Sequence, residues 1–216
     1  MVQDHHKSAA LAATLDELPR RGKVVEPNSE RIESTYSAIE LAMTTAGAQF
    51  PNHLARNLLL AVGMKAAMRR RGDVNMRIDL IAGEAKWTAA VEVEADVTAA
   101  LECPRALLDD AAILVSRHGV DRSSVRAVCV MLSLPNRRSE YWQIIEDIEK
   151  VVGLKINTLS IGALLLASWA RQFIPDLAEN PFFVGNDASI RTQIENAIGC
   201  KVEWPLGHLG ILESAK

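Results

Sequence analysis

Cysteine is scarce in this chain. There are three, at positions 103, 129 and 200, and no two stand in a CxxC pair. A disulfide framework or a zinc ribbon needs more of them, or closer ones, so the expectation is buried, reduced thiols. Long apolar runs are missing as well: the most apolar stretch, near Ile161–Trp169, is far shorter than the ~20 residues of a membrane span. The opening residues, MVQDHHKSAALAATLDELPRR, hold acids and histidines where an export signal needs an apolar core, which predicts a cytoplasmic protein. Positive charge is not in excess. With 24 Lys and Arg against 27 Asp and Glu, the formal net charge is −3, which argues against a protein that coats nucleic acid nonspecifically. The same 24 cations are enough to build a local basic cleft. GxSxG, GxGxxG, GxxxxGK[ST] and HExxH are all absent, so hydrolase elbows, nucleotide loops and zinc-helix sites have no support.

What is present is the balance of an ordinary folded protein, 49% hydrophobic and 24% charged over 216 residues. That length, with no repeat, low-complexity tract or linker, predicts one domain over residues 1–216. The first part, 1–71, reads as helical. A short helix is expected over Ser8–Leu18, then one capped by Ser29 with Ile32, Tyr36, Ile39 and Met43 on one stripe, then one from Pro51 to about Met68. After Arg69-Arg70-Arg71-Gly72 the period changes. VNMRIDLIAG and TAAVEVEAD alternate and predict strands over 74–82 and 88–95, joined by a four-residue loop, Glu84–Trp87. A helix follows Pro104, VRAVCVMLSL reads as a strand buried on both faces, and SEYWQIIEDIEKVVG as an amphipathic helix ending on Gly153. LKINTL reads as a strand, IGALLLASWARQF as a buried helix, a helix capped by Asn186 or Asp187 runs to Ile198, and KVEW closes as a strand. The fold class expected from this order is α/β: a mixed sheet sandwiched by helices.

The hairpin is the most informative segment. Its loop puts Asp79 opposite Glu92 and Arg77 opposite Glu94, so that Asp79, Glu92 and Glu94 share one face while Ile78, Leu80, Val91 and Val93 share the other. Three converging carboxylates repel by about a kcal/mol or more each unless a cation sits among them, and hard oxygen ligands suit Mg2+. The bland alternative is a solvated acidic strand face with Arg77 paired to Glu94.

The stretch MRIDLIAGEAKWTAAVEVEAD…RALLDDAAILVSRHGVDRSSVRAVCVMLSL…SEYWQIIEDIEKVVGLKI resembles the PD-(D/E)xK nuclease superfamily, and within it the BamHI and BglII type of type II restriction endonuclease. That core is a hairpin carrying an Asp and a later (Glu/Asp)-x-Lys, then a helix, a buried strand and another helix. The resemblance covers about residues 74–160 and implies a restriction-endonuclease-like core. It implies Asp79 and Glu92 as metal ligands, and Glu94 where the superfamily's lysine stands, orienting or deprotonating the attacking water. It further implies a Mg2+-dependent endonuclease of a restriction system, acting on double-stranded DNA as a homodimer. Basic clusters around the acidic centre, Arg69, Arg70, Arg71, Arg105, Arg137 and Arg138, are the candidate DNA contacts; Arg117, His118 and Arg122 flank the helix after the hairpin. The sequence departs from the pattern in having Ile78, not proline, before Asp79. The helix Pro51–Met68 carries no acid, so a fourth ligand falls to Glu33 or Glu40. The alternative function is a noncatalytic interaction or inhibitor protein on a degenerate nuclease fold. Outside the hairpin, His53, His118 and His208 read as isolated, Asp109-Asp110 as surface, and Tyr141-Trp142 as core packing.

Overall fold

The computed structural model of the chain describes residues 28–68, 78–84, 86–96, 98–170 and 189–212. The expected helix over Ser8–Leu18, the cap at Asn186 or Asp187, and Arg69, Arg70, Arg71 and Arg77 lie outside them.

Helix α1 (Ser29–Thr45) is capped by Asn28, whose side chain accepts from the Arg31 amide at 2.8 Å, so Asn28 takes the role expected of Ser29. Its stripe of Ile32, Tyr36 and Ile39 is buried. Helix α2 (Phe50–Ala61) stops earlier than the periodicity implies. Gly63 takes a φ of 95°, a left-handed conformation that ends the helix, and residues Lys65–Met68 go on as strand β1. KAAM looks helical in composition, but pairing with a neighbouring strand overrides that local preference.

Strands β2 (Leu80–Glu84) and β3 (Trp87–Glu94) form the expected hairpin in the expected register, Leu80 opposite Val91 through Glu84 opposite Trp87. The ladder reaches Glu84–Trp87, so both ends of the anticipated four-residue loop belong to the strands. Helix α3 (Cys103–Ser116) crosses to β4 (Val125–Met131), and α4 (Glu140–Val152) crosses to β5 (Ile156–Ser160). Ser139 caps α4, and Gly153, at φ 73°, ends it. The sheet order is β1-β2-β3-β4-β5, with β2 antiparallel to both neighbours and β3, β4 and β5 parallel. Helix α5 (Ile161–Trp169) leaves β5 without a loop, and all nine of its residues are buried. Helix α6 (Ser189–Ile198) follows; residues 201–204, expected as a strand, carry no regular structure.

Two cores lie on opposite faces of the sheet. Leu80, Ala82, Ala89, Val91, Val128 and Val130 pack with α1, α2, α5 and α6. Ala90, Ala127 and Cys129 pack with Leu107, Leu114, Tyr141 and Ile145 of α3 and α4. The strands are therefore covered on both sides, which is why VRAVCVM is apolar almost throughout. Ile78 belongs to the α3–α4 core, not to the face of Leu80 as strict alternation would have it, because the chain bends at Asp79. Cys103 and Cys129 are joined as a disulfide within that core, with Cα atoms 6.6 Å apart. This overturns the expectation of separate thiols: helix crossover brings together two cysteines that are 26 residues apart in sequence.

Candidate functional site: an acidic sheet end

The start of β2 and the end of β3 lie side by side because the hairpin is antiparallel. Asp79 sits at the bend just before β2. Its Oδ1 accepts from Asn52 Nδ2 of α2 at 2.9 Å, and its Oδ2 accepts from the Val93 amide at 3.3 Å. Glu92 lies two residues after Ala90 on the face toward α3. There it shares a hydrogen bond with Asp110, which is only 3% exposed. Glu94 turns back on the chain and accepts from the Asp96 amide at 2.8 Å.

Burial is the largest influence on Glu92. The hydrogen bond to Asp110 comes next, then the charges of Asp79, Asp110 and Glu94. Together they push its carboxyl from 4.5 up to about 9, so at neutral pH it holds its proton. Asp79 and Glu94 thus lie within electrostatic reach of Glu92, and Asp110 joins them. The expected single face does not hold: the bend leaves Asp79 on Asn52 of α2, on one side of the sheet, while Glu92 meets Asp110 of α3 on the other. The expectation that Asp110 lies at the surface is wrong. Cys103, Leu107, Asp110, Ala111 and Leu114 make one buried stripe at helical spacing, and that spacing is the signal that could have found it. Asn52 was missed likewise; it lies on the buried stripe of α2 with Ala55 and Leu59.

The fourth acids proposed from sequence are engaged elsewhere. Glu33 accepts from Trp204 Nε1 at 3.0 Å, and Glu40 Oε1 lies 3.6 Å from His208 Nδ1. His208 is not isolated: its Nδ1 also meets the Tyr36 hydroxyl, and Tyr36 stacks on Trp204 at 4.1 Å. Burial lowers the His208 pKa more than the charge of Glu40 raises it. Gly162 makes this packing possible, since a Cβ there would stand 2.3 Å from the His208 carbonyl oxygen, whose carbonyl also accepts from Ser160 Oγ at 2.7 Å.

Among the basic candidates, Arg105 pairs with Glu102 at 2.7 Å on the exposed start of α3. Arg137 and Arg138 are exposed in the loop that leaves β4, whose last residue, Met131, is the register partner of Glu94. All three arginines therefore follow the strand ends nearest the acids.

The donors are all carboxylate oxygens, the type a hard divalent cation takes, and burial first, then the neighbouring acids, keeps a proton on one of them. Among the described residues, however, no three His, Cys, Asp or Glu side chains are drawn together as closely as a bound metal would hold them. Asp79 is held by Asn52 and Glu92 by Asp110. No helix among the described residues is long and apolar enough to cross a membrane. No protein-family model and no curated protein matches the chain.

Proposed function

We propose that the protein is a Mg2+-dependent DNA endonuclease with a restriction-endonuclease-like core, working as a homodimer on double-stranded DNA. The observation that carries this reading is the β2–β3 register, which sets Asp79 beside the end of β3, where Glu92 and Glu94 project. The succession of hairpin, α3, buried β4 and α4 supports it, being the order of the nuclease core it resembles. Asp79 and Glu92 would hold the ion, with Asp110 an added oxygen donor beside them. A bound Mg2+ would supply charge neutralisation for the phosphodiester and a water of lowered pKa. Glu94, which accepts from the Asp96 amide at the same hairpin end, would accept a proton from that water. Asn52 fixes the rotamer of Asp79, and Arg105, Arg137 and Arg138 would meet phosphates. A homodimer would match the two-fold symmetry of a palindromic site.

The Glu92–Asp110 hydrogen bond favours a second reading, a noncatalytic interaction protein on the same fold, because a shared proton satisfies those two acids without a metal. Incubation with plasmid DNA decides between them. Under the endonuclease reading, the protein converts supercoiled plasmid to open or linear forms with Mg2+ and not with EDTA. Asp79→Asn then loses at least about a hundredfold in rate, some 2.7 kcal/mol of transition-state stabilisation. Absence of cleavage with Mg2+ or Mn2+ by a folded parent protein would sink the endonuclease and leave the interaction protein.

A further inference from the structure

The opposite end of the sheet holds a cavity of about 690 Å³, within the size range of small-molecule sites. Val125 begins β4 beside Thr88, and Met131 ends it beside Glu94; at ~3.3 Å per residue the cavity lies roughly 20 Å from the acidic cluster. Its apolar lining includes Leu108 and Val115 of α3, Val125 at the start of β4, and Val152 and Leu154 at and beyond the end of α4; Trp87, at the start of β3, borders it while packing against the opposite core. Among the described residues, three cations line it, Arg122, Arg126 and Lys155, and no carboxylate does.

The partners of these cations are neutral. Arg122 donates to the Val152 carbonyl at 2.8 Å, and Arg126 Nη1 to the carbonyls of Ser123 and Val125 at 2.9 Å each. Among the described residues no carboxylate forms an ion pair with any of the three. Asp121, the nearest acid in sequence, is turned onto the Ser123 amide at 2.7 Å. The C-terminal ends of α3 and α4 approach this region, and each offers about half a negative charge. Those two halves offset about one of the three positive charges, which leaves a cationic excess over an apolar cavity.

We propose that this cavity binds a small organic anion: an apolar body against Leu108, Val115 and Leu154, with its phosphate or carboxylate held by Arg122, Arg126 and Lys155. The chemistry is shared by mononucleotides and medium-chain carboxylates, so both are probed. Calorimetric titration of the full chain with adenosine monophosphate and with decanoate is compared with adenosine, decanol and inorganic phosphate. At least one organic anion should bind with a Kd below about 1 mM, and its neutral counterpart and phosphate at least about tenfold more weakly. The source is then the anion that binds. The double variant Arg126→Gln/Lys155→Gln, both positions being exposed, should keep the parent melting temperature and bind that anion at least about tenfold more weakly. The proposal is overturned if neither anion binds in that range, if the neutral counterpart binds as well, or if the double variant binds unchanged. This site stands apart from the acidic cluster, so its failure leaves the nuclease reading untouched, and the reverse holds too.

Discussion

The two ends of one five-stranded sheet carry opposite charge. At the end where β2 starts and β3 stops, Asp79, Glu94 and Asp110 lie within electrostatic reach of Glu92, which keeps its proton well above the normal range. At the end where β3 and β4 start, Arg122, Arg126 and Lys155 line an apolar cavity, and among the described residues no carboxylate pairs with them. A formal net charge of −3 conceals both. Helix α3 runs between them, giving Asp110 to the acidic end and Leu108 and Val115 to the cavity. The difference teaches how each end deals with its own repulsion: the acids are buried in part, Asp110 fully, and settle it with a proton, whereas the cations are exposed and leave it to water.

That contrast can be broken most strongly at Glu92. Its folded pKa stands above its ordinary value, so its stabilising contribution is complete below about 4.5 and is lost as pH rises toward 9. In EDTA the parent protein should therefore lose stability across that window. Glu92→Gln keeps a donor for Asp110 without the titration. It should match the parent near pH 5 and melt at least about 2 °C higher at pH 8, a shift of order 1 kcal/mol for a chain of this size. Parallel melting curves for the two proteins at all pH values would show that Glu92 is an ordinary solvated carboxylate.

His208 sharpens the comparison with the opposite sign. Its folded pKa lies below the ordinary 6.5, so the unfolded chain binds the proton more readily. Stability is complete above about 6.5 and falls as the pH drops below it. The effect should be smaller than that of Glu92, because the charge of Glu40 opposes the burial. Replacing His208 with Gln should flatten the acid limb of the melting profile below 6.5; an unaltered limb would assign that loss to other groups. The smallest effect is expected at Arg105, whose ion pair with Glu102 is exposed. Arg105→Ala should change unfolding free energy by less than about 0.5 kcal/mol while weakening DNA retention at low salt. Equal retention by both proteins would remove Arg105 from the DNA surface.

Much of this arrangement was legible in the residues. Alternation over RIDLIAG and AAVEVEA gave the hairpin and its register, since one face had to be apolar, and the unbroken apolar run of VRAVCVM marked a strand covered on both sides. The bend at Asp79 was not legible: it moves Ile78 to the opposite core, and one Asp inside an alternating run reads as a strand residue. Nor was β1, because KAAM becomes a strand only by pairing with β2, a partner more than ten residues away. Asp110 was missed for a different reason. A charged pair reads as surface by type, yet its position on the stripe of Leu107 and Leu114 outweighs its charge once Glu92 stands opposite. His208 reads as isolated in sequence and meets Tyr36 only because Gly162 lets two backbones close on each other.

The central claim is that the acidic end is a divalent-cation site. Calorimetric titration of Mg2+ into the parent protein, Glu92→Gln and Asp110→Asn at pH 8 tests it most directly. The account predicts binding to the parent that weakens at least about tenfold in Glu92→Gln, or about 1.4 kcal/mol, with a smaller loss in Asp110→Asn. Equal affinity in all three proteins, or no heat of binding in the parent, would contradict it.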